Sequence, residues 1–157
     1  MEARDTLSES LAMGALGQRT GYLLIKLGEL VLQVAEDTLA PLGLRARHFN
    51  VMAMIAADAG LSQQDISGVL GLDPNIIVAL IDDLERQQLV TRSRSPTDRR
   101  RYALQLTPNG RDRLAEADRL IQDAEHELLT PVNDDEAATL RDLAAHILAP
   151  HWPLRHR

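Results

Sequence analysis

Two helix-start signals lie on either side of one helix-stop signal between residues 62 and 74, and no other feature constrains the fold as strongly. Ser62, with Asp65 three positions on, is a variant of the capping box, which predicts a short helix over Gln63–Leu70. Gly71 is expected to end that helix. Asp73-Pro74 then starts a second helix, because Asp is a good N-cap and Pro is favoured at the first helical position. Two short helices joined by a tight glycine-containing turn are typical of a helix-turn-helix.

The pattern changes from helical to alternating after residue 88. Residues 89–94 and 101–106 are predicted to form two strands, with Tyr102, Leu104 and Leu106 on one face. Residues 95–98 (Ser-Pro-Thr-Asp) form a turn sequence between them. A β-hairpin directly after a helix-turn-helix predicts a winged helix.

Amphipathic helices flank this unit on both sides. Apolar stripes predict helices over residues 19–39, 45–59 and 107–129, and a final helix from about residue 134. In the second of these, the expected inner face consists of Phe49, Met52, Ile55 and Ala56. The flanking helices carry more apolar surface than a small winged domain can cover, so a symmetric homodimer is expected.

These elements predict a mainly α fold: a winged helix-turn-helix with a two-stranded β wing and flanking dimerisation helices. We expect one domain over residues 1–157. Within it, residues 42–106 form the DNA-binding part. Residues 6–39 and 107–150 form the helical dimerisation part.

Charge is distributed unevenly along the chain. The net charge is −6, yet the segment from Arg86 to Arg113 contains eight arginines and two aspartates, so it carries +6 and the remainder carries −12. A basic segment on an acidic body favours an anionic partner such as duplex DNA, although a solvated charged loop has the same composition.

Several functional classes are excluded by composition. The chain has no cysteine, which rules out a disulfide framework, a zinc finger and thiolate chemistry. The histidines lack metal-ligand spacing, and no nucleophile-elbow, Walker or dinucleotide motif is present. We therefore predict no enzyme activity, no metal and no cofactor. No apolar run approaches the ~18 residues of a membrane span, so a cytoplasmic protein without membrane contact is expected.

The wing carries a specific resemblance. The pattern Leu89-Val90-x-Arg92-x-x-x-Pro96-x-Asp98-Arg99-Arg100, followed by Leu104-x-Leu106-Thr107-x-x-Gly110, resembles the wing and following helix of the MarR family of bacterial transcription regulators. Upstream, Leu70-x-Leu72-Asp73-Pro74 and Leu80-Ile81-Asp82-x-Leu84-Glu85 resemble that family's recognition helix. The resemblance covers about residues 42–120 and implies a dimer that binds double-stranded DNA.

Candidate DNA contacts lie on three elements, which are the start of the first helix of the motif, the outward face of the second, and the wing. They are Ser62, Gln63, Asn75, Ile76, Val78, Ala79, Arg92, Arg94, Arg99 and Arg100. Asn75 is suited to adenine, and the apolar side chains beside it to thymine methyl groups. Arg92 and Arg94 either contact the sugar-phosphate backbone or project into solvent. The resemblance implies that Asp98 orients Arg100, while a turn-forming Asp is the alternative.

The sequence departs from the family pattern in the recognition helix. Val78 and Ala79 stand near positions where the family usually has small polar or basic residues, and Asp83 occupies another basic position. Gln88 replaces the usual glycine after this helix, so its left-handed C-cap is expected to be strained or rebuilt.

The resemblance also implies an effector pocket between the winged part and the dimerisation helices. His48, Arg45 and Tyr22 are the candidate lining residues, for a small aromatic or anionic ligand. The alternative is that they are ordinary packed or surface residues. The predicted function is a ligand-responsive repressor that binds a pseudo-palindromic promoter site as a homodimer. A winged-helix protein-interaction module with little DNA binding is the rival, favoured by the apolar recognition surface and by Asp82 and Asp83.

Overall fold

The computed structural model describes residues 14–58, 60–94 and 102–152. Its helices and strands follow one another in the predicted order, and the mainly α winged-helix fold is confirmed. They are α1 (Thr20–Leu39), a 3₁₀ turn (Ala40–Leu42), α2 (Ala46–Ala57), α3 (Gln63–Leu70), α4 (Pro74–Arg86), β1 (Val90–Arg94), β2 (Tyr102–Leu106), α5 (Pro108–Leu128), α6 (Asp134–Leu148) and a second 3₁₀ turn (Ala149–His151).

The helix-turn-helix forms as its cap residues predict. Ser62 accepts a hydrogen bond from the backbone N–H of Asp65, and the Asp65 carboxylate accepts one from the N–H of Ser62, which completes the capping box. Gly71 ends α3 in the left-handed region at φ 64°. Asp73 then caps α4 by accepting from the N–H of Asn75 at 2.7 Å. The two helices meet at 120°.

The wing strands pair antiparallel, with Val90 opposite Leu106 and Arg94 opposite Tyr102. β1 starts one residue later than predicted, at Val90, and β2 is described from Tyr102. Along the face predicted to carry Tyr102, Leu104 and Leu106, the two leucines are buried and Tyr102 is 54% exposed. Tyr102 pairs with the last residue of β1, at the end of the hairpin that lies beyond the core.

The core lies between α2, α3, α4 and the wing. The inner face of α4 consists of Ile77, Leu80, Ile81 and Leu84, all buried as their spacing predicts. The inner face of α2 is partly wrong, because Ala56 is exposed and His48 is buried, next to Val51, Met52 and Ile55. His48 lies inside with polar partners, the backbone of Arg45 and the Asp83 carboxylate.

The N-terminus of α5 packs directly on the chain that leaves α4. A Cβ at Gly110 would lie 1.9 Å from the carbonyl oxygen of Leu89, so only glycine fits there. Thr107 caps α5 by accepting from the N–H of Gly110, and its hydroxyl donates to the carbonyl of Gln88 at 2.7 Å. Arg113 donates to the carbonyl of Leu42 at 2.6 Å. These contacts join the long helix to both ends of the winged unit.

Apolar side chains remain exposed along α1 and α6. Ile25 and Ile147, for example, are 61% and 58% exposed. The exposed set comprises Leu23, Leu24, Ile25, Leu30, Val31 and Leu32 on α1, and Leu140, Leu143, Ile147 and Leu148 on α6. Across the three described ranges no single helix has the length and apolar composition to cross a bilayer. The pair α3–α4 meets those two criteria jointly, but it is bent by 120°.

The C-terminus of α4 is a Schellman motif without its usual glycine. The N–H of Gln88 donates to Glu85 and the N–H of Leu89 donates to Leu84, both at 2.9 Å. Gln88 occupies the left-handed position at φ 58°. A side chain with a Cβ is strained by about 1–2 kcal/mol in this region.

We expect Gln88→Gly to raise the free energy of unfolding by about 1 kcal/mol, because glycine removes that strain and loses some chain entropy in exchange. Urea unfolding of the purified protein measures the change. Gln87→Gly is the matched control, since Gln87 is helical at φ −79° and glycine there should destabilise. A Gln88→Gly protein no more stable than wild type would contradict this account of the turn.

Candidate nucleic-acid interface

The N-terminal half of α4 presents an exposed face opposite the core. Asn75, Ile76, Val78 and Ala79 all lie on it. Each is held outward by the same rotation of the helix that buries Ile77 and Leu80 on the other side. In a helix-turn-helix, this part of the second helix is the one that reaches base edges in the major groove.

The predicted contacts at the start of α3 have structural partners. The Ser62 hydroxyl donates to the Asp65 carboxylate at 2.6 Å, so the side chain serves the helix cap. Gln63, with its amide oxygen turned toward Arg92, accepts from Nε at 3.1 Å and from Nη2 at 2.6 Å. Gln63 therefore joins α3 to the wing.

Arg92 is the centre of an ion-pair cluster. Its guanidinium contacts Asp82 at 2.6 Å and also pairs with Glu85, and its backbone N–H donates to Glu85 Oε1 at 3.1 Å. With Gln63, this one side chain connects β1, α4 and α3. Sequence reasoning missed this role, although Asp82 and Glu85 lie three residues apart on one helix face, a spacing suited to a shared arginine.

The tip of the wing lies outside the described residues, and with it the predicted contacts Arg99 and Arg100 and the orienting residue Asp98. The backbone of Arg94 is described in β1, but its side chain is not.

His48 is buried and engages two elements. Its Nδ1 accepts from the backbone N–H of Arg45 at 3.1 Å, so the neutral ring carries its proton on Nε2. Nε2 lies 3.0 Å from Asp83 Oδ2, without the alignment of a full hydrogen bond. Asp83 also pairs with Arg86 at 2.8 Å. The two acidic residues of α4 that weighed against DNA binding are thus both engaged in ion pairs, Asp82 with Arg92 and Asp83 with Arg86.

The pKa of His48 is lowered, chiefly because burial disfavours the imidazolium. The positive charge of Arg45 lowers it further, and Asp83 and Glu36 oppose the shift. His48 is therefore neutral at pH 7, and its charged form is disfavoured in the folded protein.

The three candidate effector residues do not form one pocket within the protomer. His48 is 2% exposed, and its Nδ1 accepts from the backbone N–H of the exposed Arg45 while its Nε2 faces Asp83. Glu36 accepts from the N–H of Ala46 beside them, whereas Tyr22 lies fourteen residues earlier in α1, about 21 Å along the helix. The lysine of the next turn, Lys26, lies 5.9 Å from the Tyr22 ring centre.

A groove of about 500 Å³ instead lies where α2, the end of β2 and α5 meet. Its floor is formed by small and apolar side chains, with Arg111 and Asp118 among the lining. The full lining is Phe49, Ala53, Ala56, Ala57, Leu106, Arg111, Leu114, Ala115 and Asp118. Three alanines on one side of α2 were the sequence signal for this groove, and it was missed. In the described residues no group of three acidic, histidine or cysteine side chains could hold a metal ion.

We expect the free energy of unfolding to fall as pH drops below about 6.5, the ordinary histidine value, partly because of His48. Below this pH, the His48 imidazole binds a proton more readily in the unfolded chain than in the folded protein. Lowering the pH therefore favours unfolding. His48→Gln should give a shallower dependence of stability on pH between about 7.5 and 5.5. His126→Gln, at an exposed histidine of α5, is the control and should keep the wild-type slope. Identical slopes for all three proteins would contradict the proposed environment of His48.

Comparison with known proteins places this geometry in a family. Residues 44–102 match the model of the MarR family. The multiple antibiotic resistance protein MarR of Escherichia coli (strain K12) is 29% identical over 133 residues, which cover 80% of this chain and 92% of that protein. A MarR-family transcriptional regulator from Rhodococcus sp. RHA1 is 31% identical, covers 88% of this chain and 98% of its own, and superposes with a TM-score of 0.79.

Two structures of the repressor CouR are also similar. One, bound to a 23-mer DNA duplex, is 34% identical with a TM-score of 0.80 and covers 86% of this chain and 96% of its own. The other, CouR from Rhodococcus jostii RHA1 bound to p-coumaroyl-CoA, is 33% identical with a TM-score of 0.76 and covers 85% and 94%. With the winged helix-turn-helix and its flanking helices, these similarities show that the chain belongs to the MarR family of transcription regulators.

Proposed function

We propose that the protein binds duplex DNA as a symmetric homodimer and represses transcription from a pseudo-palindromic promoter site until a small ligand releases it. The observation that carries this proposal is the exposed N-terminal half of α4, held outward beside the wing by a buried inner face. The division into a DNA-binding part over residues 42–106 and a dimerisation part over residues 6–39 and 107–150 belongs to the same proposal.

The apolar faces of α1 and α6 support the dimer. They are too extensive to remain in water on a monomer, and a second copy of the chain covers both in an isologous interface. A dimer with twofold symmetry then sets its two recognition helices about one turn of DNA apart, ~34 Å, which matches a palindromic site.

The groove between α2 and α5 is the proposed effector site. It lies where the winged unit meets the long helix, so a ligand seated there contacts both parts. The CouR complex supplies a ligand class, an aromatic acid carried as a coenzyme A thioester. Phe49 and the alanines form an apolar lining that suits an aromatic ring. Arg111 also lines the groove and can pair with an anionic group of the ligand; its guanidinium donates to the carbonyl of Leu106 at 2.9 Å.

The rival function is a protein-interaction module with little DNA binding. The salt dependence of DNA binding distinguishes the two functions. A regulator displaces counterions from the DNA phosphates when it binds, so its affinity for DNA falls steeply as the salt concentration rises. An interaction module binds duplex DNA weakly at every salt concentration. The ion pairs of Asp82 with Arg92 and of Asp83 with Arg86 favour the regulator, because the arginines offset part of the negative charge that faces the duplex.

Alanine at both Arg99 and Arg100 should weaken specific and non-specific DNA binding together. Each lost phosphate contact should lower the slope of log affinity against log salt by roughly 0.9, so a dimer that loses four contacts changes by up to about four. Fluorescence anisotropy with labelled duplex at several salt concentrations measures both quantities. Wild-type affinity and slope in the double variant would refute the wing assignment.

Arg92→Ala is the informative comparison in the same assay. We propose that Arg92 positions the wing and α4 and does not contact phosphate, because its guanidinium is already occupied by Asp82 and Glu85. Its removal should lower the free energy of unfolding by about 1–2 kcal/mol and weaken DNA binding while leaving the salt slope near that of wild type. A slope reduced as in the wing variant would instead show a phosphate contact.

Ala53→Leu should fill the proposed effector groove without touching the DNA-binding face. With p-coumaroyl-CoA and related hydroxycinnamoyl and benzoyl thioesters as probes, thermal shift identifies ligands and anisotropy measures release from DNA. For a ligand that releases wild type, we expect the variant to need at least about tenfold more, since about 1.4 kcal/mol of lost affinity is tenfold. Its DNA affinity without ligand should be unchanged. If the same ligand concentration releases both wild type and the variant from DNA, the effector binds outside this groove.

A further inference from the structure

The outward face of the first two turns of α4 is almost entirely apolar. From Pro74 to Ile81, Asn75 is the one residue whose side chain carries hydrogen-bonding atoms. Ile76 and Val78 are 38% and 40% exposed, and Ala79 is exposed beside them. A surface helix normally turns its apolar residues inward, and α4 already buries a complete stripe on its other side.

Every charged side chain of α4 already forms an ion pair. Asp82 and Glu85 hold Arg92, and Asp83 faces His48 and holds Arg86. All of them lie beyond the second turn of the helix, where an ion pair would have to break before a base could be contacted. Hydrogen-bonding and charged groups are therefore nearly absent from the part of α4 that reaches deepest into a groove.

One major-groove feature suits such a surface. Thymine alone among the four bases presents a methyl group there, whereas guanine, cytosine and adenine present donors and acceptors. We propose that Ile76, Val78 and Ala79 read thymines of the half-site through their C5-methyl groups, with Asn75 as the single polar reader. This inference rests on the proposed function, because it requires α4 to lie in the major groove.

Methyl readout by α4 predicts which bases occur in the DNA half-site and how they are discriminated. Bases facing the apolar surface are thymines, and their discrimination comes from burial of methyl groups, which adds nothing to the salt dependence. A methyl group that is fully buried is worth about fourfold in affinity. Salt dependence then reflects the wing and the backbone contacts alone.

The test begins with selection of binding sites from a random-sequence duplex library by the full-length protein. In the selected site each thymine is then replaced by deoxyuridine, which removes the methyl group and keeps the base pair. We expect a loss of roughly threefold to fivefold at two or more thymines in each half-site. Replacing the same T·A pair by 5-methylcytosine·guanine should bind more tightly than replacing it by cytosine·guanine.

Substitutions in the protein show which side chains are involved. Ile76→Ala or Val78→Ala should reduce the thymine-to-deoxyuridine ratio at particular positions toward one. Val69→Ala is the matched control, because Val69 is 37% exposed on α3 and lies off the proposed reading face, so its ratios should equal those of wild type.

The outcomes separate this inference from the proposed function. If selection enriches a site and deoxyuridine has no effect, or if its effect is the same in wild type and in both α4 variants, methyl readout by α4 is overturned while DNA binding stands. If no duplex is enriched, the proposed function fails with it, and the apolar face is then a docking surface for protein.

Discussion

The buried stripe of α4 is the constraint on which the rest of the molecule depends. Ile77, Leu80, Ile81 and Leu84 fix the rotation of the helix against α2, α3 and the wing, and this rotation decides which side chains face outward. Burying side chains of this size stabilises by about 1.5–3 kcal/mol each, more than any surface ion pair described here contributes. Polar contacts of α4 orient the helix further, since Arg92 pairs with its carboxylates from β1 and Asp83 lies against the buried His48 of α2.

The same anchoring links the DNA-facing surface to the flanking helices. Glu36 of α1 accepts from the N–H of Ala46, and the N–H of the preceding Arg45 donates to His48, whose other nitrogen faces Asp83 of α4. On the opposite side, Gly110 and Thr107 of the α5 start meet the chain just after α4. We propose that a change in the flanking helices reaches α4 through these contacts, and that a ligand which favours one arrangement over another alters DNA affinity in this way.

Sequence reasoning predicted the elements whose signals are local. Capping residues at Ser62, Asp73 and Thr107 fixed helix starts, and the left-handed position after α4 was expected at Gln88 and is found there. It failed where tertiary partners decide the outcome. His48 is buried beside Asp83, and Arg92 pairs with carboxylates up to ten residues away, so both environments depend on packing between elements that the local pattern does not show. The groove beside Phe49 is formed by three separate elements, and the three alanines of α2 show one of its sides in the sequence but not the other two.

The central claim is that dimerisation sets the spacing of the two α4 helices and that a ligand changes it. Because the chain has no cysteine, Arg86→Cys at the exposed end of α4 accepts a single spin label, and pulsed electron resonance measures the distance between the two labels of a dimer. On its selected duplex the protein should give one narrow distance population, because the two recognition helices are then held about one helical turn (~34 Å) apart, and a ligand that releases DNA should shift it by several ångströms. A sample without any label–label interaction, or a distribution unchanged by a releasing ligand, would contradict the claim.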